Sequence, residues 1–190
     1  MDLSTLTRPE LIFINPVQRS PNALIEQMAQ SLAQQGIVHH ADHFIASVMR
    51  REKEGPTALG ETLAVPHGKC DSVGQAAFCI ALFQDPIMWP GLEGDEEVKL
   101  VFLLAIPPAE AGSTHMQLLT QLTSMLVDDS LRQQILNATS ADTLMALLSQ
   151  KIIPNTPEPA ARPKSKPAIP ILLGLIAGAA FISAGLHWTP

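Results

Sequence analysis

Two long apolar segments constrain the fold of this chain more than any other feature. They run over Ala76–Phe83 and Val98–Ile106, contain several β-branched residues and have the length of strands. Because apolar side chains point to both sides of each segment, both faces of the resulting sheet have to be covered. Stretches with helical periodicity lie on either side of them in the sequence. The pattern therefore predicts an α/β fold in which helices cover the two faces of a sheet.

Shorter patterns predict the remaining elements. Two further strands are expected at Leu11–Asn15 and Leu63–Val65. The segment Asp85–Glu97 carries proline, glycine and acidic residues, which is typical of a loop or an irregular crossover. Capping residues and apolar stripes predict five helices. The first starts at Ser20-Pro21 and ends at Gly36, and the others span about Asp42–Glu54, Thr114–Val127, Ser130–Asn137 and Ser140–Leu148.

Composition excludes several classes of function. The chain has 190 residues and a net charge of −6, which argues against general nucleic-acid binding because that function needs a basic face. Its two cysteines, Cys70 and Cys79, match no metal-binding spacing and suit a reducing compartment. His39, His40 and His43 share no helix face and are interpreted as a solvated surface run. No metal site and no cofactor are predicted.

The C-terminal part differs in composition from the rest. Pro154–Pro167 includes five prolines and no large apolar side chain, so residues 153–167 are predicted to form a disordered linker after a domain at 1–152. Residues 168–187 contain 19 consecutive uncharged residues, which as a helix at ~1.5 Å per residue would cross a bilayer core. Lys and Arg precede this hydrophobic helix and none follows it. This predicts a cytoplasmic domain tethered to a membrane by its C-terminal segment.

The chemistry is expected in the segment EKEGPTALGETLAVPHGK, which spans residues 52–69. It presents one histidine, His67, between Pro66 and Gly68. Val65 is biased toward an extended conformation because it precedes proline, and Gly68 is expected where another molecule approaches closely. A histidine held in this way is a candidate nucleophile or proton carrier.

This segment resembles the active-site signature of the mannitol/fructose-type enzyme IIA family of the bacterial phosphoenolpyruvate-dependent sugar phosphotransferase system. The match runs without a gap from Glu52 to Gly68, and the resemblance extends over about residues 1–150. It implies a three-layer α/β/α sandwich with a mixed sheet of about five strands. It also implies that His67 accepts a phosphoryl group from the phosphocarrier protein HPr. His67 would then pass the group to enzyme IIB during sugar uptake through enzyme IIC, as in fructose-like permeases. The resemblance also implies that the tether lies in the bacterial inner membrane, where the C-terminal segment would be either an evolved anchor or the stub of a shortened permease.

A second segment, LLAIPPAEAGSTHMQLL at residues 103–119, carries His115 at the start of a predicted helix. Thr114 and Gln117 have the spacing of a capping box, which would make His115 the first helical residue, where the helix dipole favours an anion. The resemblance assigns His115 to orienting the phosphoryl group. Since His115 also continues the apolar stripe of this helix, a histidine at the edge of the core is the alternative.

Two charged residues complete the predicted site. The resemblance implies that Arg51, at the end of the second helix, holds the phosphoryl group, which a planar guanidinium can bind with two hydrogen bonds. Arg50 is the competing candidate, and a solvated arginine is the alternative. Glu61 could fix the ring of His67 or repel excess negative charge, or it could be a solvent-facing turn residue. Apolar and small residues around His67 are expected to form the partner surface: Ala58, Leu59, Leu63 and Gly68.

Other functions remain open at this point. Similar domains include regulatory proteins that bind partners according to their phosphorylation state, so a phosphorylation-dependent binding module is the main alternative. An inactive relic is a third possibility, although intact His67, His115 and Arg51 count against it.

Overall fold

The computed structural model describes residues 2–150 of the chain. Within them the helices are α1 (Pro21–Gln34), α2 (Ala41–Glu54), α3 (Thr114–Val127), α4 (Asp129–Leu136) and α5 (Ala141–Leu148). The strands are β1 (Ile12–Ile14), β2 (Leu63–Ala64), β3 (His67–Lys69), β4 (Ala77–Pro90) and β5 (Asp95–Ile106).

The strands form one mixed sheet. Its order is β1-β4-β5-β2, with β4 and β5 antiparallel and β1 parallel to β4. Both β2 and β3 pair in parallel with β5, at Leu63↔Leu100 and His67↔Leu104 respectively. The two short strands therefore act as one edge strand that is interrupted at Val65 and Pro66. The expectation of a mixed sheet of about five strands is confirmed.

Helices cover both faces of the sheet because successive side chains of the central strands point in opposite directions. In β5, Val101 and Leu103 pack into a core with α1 and α2, whereas Leu100 and Phe102 pack into a second core with α3, α4 and α5. Each of these four residues is at most 2% exposed. The α/β fold with helices on the two faces of the sheet is confirmed.

The segment Asp85–Glu97 is not the loop that its composition predicts. The antiparallel ladder resumes at Ile87↔Val98 after a register shift and continues to Pro90↔Asp95, where a tight turn closes the hairpin. The reason is a local alternation that outweighs proline and acid content, since Ile87 and Trp89 are buried while Met88 is half exposed. Acidic and proline residues are tolerated on the exposed side of this two-stranded extension.

Two predicted helix starts also need correction. Helix α2 begins at Ala41, one residue before the predicted start at Asp42, and its N-cap residue His40 makes no side-chain capping bond. Helix α3 begins at Thr114 behind Ser113, and the predicted capping box is absent because the Thr114 hydroxyl donates to Glu110 Oε2 at 2.9 Å. His115 is therefore the second residue of α3.

The predicted linker at 153–167 and the predicted membrane-spanning segment at 168–187 lie outside the described residues. Within residues 2–150, no helix combines the length and apolar character needed to cross a membrane.

Candidate functional site

His67 lies in the edge strand β3, and its ring orientation is fixed by its own backbone neighbourhood. The peptide before it is held in place because Pro66 O accepts a hydrogen bond from Leu104 N at 3.0 Å. The ring atom Nδ1 lies 3.0 Å from Val65 O. Since a carbonyl oxygen can only accept, Nδ1 carries the proton of the neutral ring and Nε2 carries the lone pair.

Arg51 confirms this assignment of the ring nitrogens from the other side. Its Nε donates to His67 Nε2 at 3.1 Å, so that nitrogen has to be the acceptor. Its Nη1 donates to Gly55 O at 2.8 Å, which anchors the guanidinium at the C-terminal end of α2. The guanidinium therefore stands directly at the lone pair of His67.

His115 packs against His67 at the start of α3. The two ring centroids are 4.7 Å apart and the ring planes are tilted by 45°. His115 Nε2 is buried and has no hydrogen-bond partner among the described residues. A buried nitrogen without a partner is costly, which makes this atom ready to bond a group that enters the site.

These three side chains share one cavity of about 330 Å³. Arg50, Arg51 and Lys69 line it with positive charge, against the single carboxylate of Glu54. A cleft with such an excess of cationic groups attracts anions. The full lining consists of Ser47, Arg50, Arg51, Glu54, His67, Gly68, Lys69, Ile106, Ala111 and His115.

The surroundings favour the neutral form of both histidines. Burial lowers the pKa of His67 below its ordinary value, the positive charges of His115, Arg51 and Lys69 act in the same direction, and the bond to Val65 O opposes them. Burial likewise lowers the pKa of His115, followed by the charges of Lys69 and Arg51. A neutral imidazole at pH 7 has a free lone pair, which a nucleophile needs.

The structure does not bring Glu61 to this cavity. Its carboxylate lies 3.5 Å from Arg132 Nη1 in α4, and its side chain is 75% exposed. Glu61 also has a positive φ of 51°, in a turn where Gly60 and Thr62 have positive φ as well. These are the surroundings of a solvent-facing turn residue, which was the alternative interpretation of Glu61.

The reason for Gly68 differs from the one expected. A Cβ at this position would lie 2.7 Å from Val48 Cγ2 and 2.9 Å from Phe44 Cε2, both in α2. The close approach is therefore made by the helix of the same domain and not by another molecule. The Ser47 hydroxyl reinforces this contact by donating to Lys69 O at 3.0 Å.

Sequence reasoning missed Lys69 and Glu54 and treated Arg50 and Arg51 as rivals, although both line the cavity. Two periodicities could have revealed them. Lys69 follows His67 by two residues in a strand and so shares its face. Ser47, Arg50, Arg51 and Glu54 have the i, i+3, i+4, i+7 spacing of one helix face.

His40, which directly precedes α2, and His43 in α2 do not line this cavity. The rings of His40 and His43 have centroids 5.2 Å apart. In the part of the chain that the structure describes, no group of three or more His, Cys, Asp or Glu side chains could hold a metal ion.

Comparison with known proteins decides the family. Residues 5–151 match the family described as "Phosphoenolpyruvate-dependent sugar phosphotransferase system, EIIA 2". The chain belongs to this enzyme IIA family. The domain is accordingly a phosphotransferase component, and the family resemblance stated from the sequence is confirmed.

One relative of this enzyme IIA domain is the "PTS system 2-O-alpha-mannosyl-D-glycerate-specific EIIABC component" of Escherichia coli (strain K12). It is 48% identical over 151 residues, which is 80% of this chain but only 23% of that protein. The chain thus spans less than a quarter of the length of this curated relative.

Solved enzyme IIA structures share the fold. The nitrogen regulatory protein IIA-Ntr from Neisseria meningitidis superposes with a TM-score of 0.68 at 27% identity, over 76% of this chain and 97% of that one. The complex of enzyme IIA-Mtl with phosphorylated enzyme IIB-Mtl from Escherichia coli gives a TM-score of 0.64 at 28% identity, over 75% of this chain and 96% of that one.

Proposed function

We propose that His67 is the phosphoryl acceptor of this enzyme IIA domain, taking the group from phospho-HPr and delivering it to an enzyme IIB partner during sugar uptake. The observation that carries the proposal is the geometry of one atom. His67 Nε2 holds the lone pair of a neutral ring, at a cationic cavity and 3.1 Å from Arg51 Nε. A phosphoryl carrier needs this combination of a free nitrogen and a neighbouring positive charge.

The proposed step exchanges one P–N bond for another. The lone pair of His67 Nε2 forms a bond to phosphorus, and the bond between phosphorus and the donor phosphohistidine breaks. The donor nitrogen keeps the electron pair of the broken bond, and the donor ring leaves as a neutral imidazole because its other nitrogen carries a proton. The proton of His67 stays on Nδ1, which donates it to Val65 O, so the phosphorylated ring is an imidazolium and no proton has to move during the transfer. The reverse arrangement passes the group to the next partner.

Charges around the cavity supply the stabilisation. In this proposal Arg51 moves its donors from the lone pair of His67 to the equatorial oxygens of the phosphoryl group, with Lys69 and Arg50 adding positive charge. His115 orients the group from the opposite side, since its unpartnered Nε2 can bond a phosphoryl oxygen. Glu61 has no assigned contact with the group, because its partner is Arg132.

The partner surface needs revision from the one predicted. Of the four residues expected there, Ala58, Leu63 and Gly68 are buried and only Leu59 is exposed, at 53%. Met116, which directly follows His115, is 59% exposed. We assign Leu59 and Met116 to the surface that meets HPr and enzyme IIB.

Intact-mass measurement tests the acceptor. The full chain is incubated with phosphoenolpyruvate, enzyme I and HPr, and one acid-labile gain of about 80 Da is expected, the mass of one phosphoryl group. The gain should vanish in His67→Ala and form more slowly in His115→Ala. His43→Ala, which changes an exposed histidine outside the cavity, is the matched control. Label that persists in His67→Ala would place the acceptor elsewhere.

A regulatory binding module is the second candidate, favoured by the structural likeness to nitrogen regulatory protein IIA-Ntr. Phosphoryl transfer onward separates the two functions. The phosphorylated chain is mixed with the enzyme IIB portion of the mannosylglycerate-type relative and with mannitol-type enzyme IIB as the comparison. Transfer to either enzyme IIB supports the sugar-uptake role, and the enzyme IIB that accepts the phosphoryl group indicates the branch. Retention of the label with both supports regulation.

The membrane tether at 168–187 is a proposal that rests on the sequence alone. Membranes that contain the full chain are washed with concentrated salt and then with detergent. Release by detergent only is expected, and release by salt would reject the anchor.

A further inference from the structure

A second carboxyl group lies behind the cavity without lining it. Glu52 follows Arg51 in α2, and its Oε1 accepts a hydrogen bond from the Thr57 hydroxyl at 2.6 Å. Its Oε2 accepts one from Trp89 Nε1 at 3.3 Å. Trp89 is fully buried in the β4–β5 hairpin. One carboxylate therefore ties together the end of α2, the loop before β2 and the hairpin.

The hydrogen bonds continue from Thr57 to the reactive ring. Thr57 O accepts from Val65 N at 3.0 Å, and Val65 O lies 3.0 Å from His67 Nδ1. Every contact is within ordinary hydrogen-bond distance. Thr57 and Val65 are 4% and 3% exposed, so water does not compete for these bonds. Val65 O fixes the proton on His67 Nδ1. The backbone of Val65 is in turn held by Thr57, and the side chain of Thr57 is held by Glu52.

We propose that Glu52 is a positioning residue for His67. By holding Thr57, it keeps Val65 O against Nδ1–H and so leaves Nε2 as the nitrogen with the lone pair, facing Arg51. The consequence for phosphoryl transfer rests on the proposed function, whereas the state of the unphosphorylated ring does not.

The chemistry of the carboxylate supports this role. Burial raises the pKa of Glu52, and the hydrogen bonds from Thr57 and Trp89 together with the charge of Arg51 offset part of that effect. The contact from Thr57 is short, at 2.6 Å, and the other carboxyl oxygen accepts from Trp89 Nε1, so this partly buried group is held by donors at both oxygens.

Nitrogen NMR of the histidine rings tests the inference without any phosphoryl donor. The full chain is labelled at its imidazole nitrogens, and the two nitrogens of His67 are assigned as N–H or lone-pair at pH 7.5. In the parent chain Nδ1 should be the N–H. Thr57→Val and Glu52→Met, each of which removes the hydrogen bond between the two side chains, should give a mixture of the two tautomers, whereas Thr57→Ser, which keeps the hydroxyl, should match the parent. Glu26→Gln, an exposed change in α1, is the control for the loss of a carboxylate.

Transfer kinetics then test the functional part. In Thr57→Val the maximal rate of phosphorylation by phospho-HPr should fall by roughly 3- to 10-fold, the range expected for one lost hydrogen bond. The HPr concentration that gives half the maximal rate should not change, because no surface residue is altered. A parent-like tautomer in both a folded Thr57→Val and a folded Glu52→Met would overturn the proposal. A parent chain that takes no phosphate would overturn the proposed function and leave the tautomer result standing as its own test.

Discussion

At the residue scale, His67 owes its reactivity to hydrogen bonds at both ring nitrogens. A backbone carbonyl holds one nitrogen as a donor, and Arg51 holds the other as an acceptor. Burial lowers the pKa of the ring, so the neutral form dominates at pH 7. The guanidinium of Arg51, which donates to the lone pair of Nε2, would donate to the oxygens of a phosphoryl group bound to that nitrogen.

The Arg51→Lys substitution tests the guanidinium without removing the charge. Lysine cannot donate to His67 and to Gly55 O from one planar group, so the maximal rate of phosphorylation should fall roughly 100-fold, as for the loss of one transition-state donor. Rapid-quench kinetics with phospho-HPr measure this rate. Arg50→Lys is the comparison, and its effect should be smaller since Arg50 has no bond to the ring. A larger effect at Arg50 would exchange the roles of the two arginines.

At the element scale, the contact of β3 with α2 sets the position of the site. Gly68 lets the strand approach Phe44 and Val48, and the Ser47 hydroxyl bonds to Lys69 O. This contact brings the cationic face of α2 opposite His67. Helix α3 adds His115 from the other side of the cavity.

Gly68→Ala should therefore damage stability and site together. The added methyl group would lie 2.7 Å from Val48 Cγ2, so α2 has to shift, at a cost of about 1–3 kcal/mol in the free energy of unfolding. Urea denaturation measures this cost. Gly112→Ala is the matched control, because a Cβ there meets nothing within 4 Å. Recovery of part of the loss in Gly68→Ala with Val48→Ala would locate the clash, and an unchanged stability of Gly68→Ala would contradict it.

Parts of the fold that depend on local sequence patterns could be predicted from the sequence, whereas parts that depend on contacts between distant residues could not. The apolar runs of β4 and β5 and the stripes of the helices are local patterns that predict these elements, although β4 continues past the predicted end at Phe83 to Pro90. The hairpin around Trp89 was missed because its proline and acidic residues favour a loop, although Ile87, Met88 and Trp89 alternate between buried and exposed positions. The true reason for Gly68 and the partner of Glu61 were missed because they depend on contacts with α2 and α4.

At the scale of the whole molecule, two partly buried histidines couple stability to pH. His67 and His115 have pKa values that are lower in the folded protein than in the unfolded chain, where a histidine titrates near about 6.5. Between the two values the unfolded chain binds more protons, so stability rises with pH in that window. The contribution is complete above the unfolded pKa and is lost as pH falls below it.

Thermal unfolding over a pH series tests this coupling. From pH 7.5 to pH 5 the parent chain should lose more stability than the double variant His67→Gln/His115→Gln, in which neither site can titrate. The carboxylates titrate alike in both proteins, so the difference between the two curves isolates the histidines. Parallel curves would mean that the rings charge as easily folded as unfolded.

The connectivity of the sheet also has a kinetic consequence. Strands β4 and β5 are joined by a tight turn at Pro90↔Asp95, whereas β1 has to find β4 across the distance from Ile12 to Ile80. Closing a long loop costs more chain entropy than closing a short one. The hairpin can therefore form early, and the outer strands can then pair with it. Strand β3, which carries His67, then becomes ordered only after β4 and β5 have paired. During synthesis, the chain up to Ile106 must therefore have left the ribosome before this edge of the sheet can form.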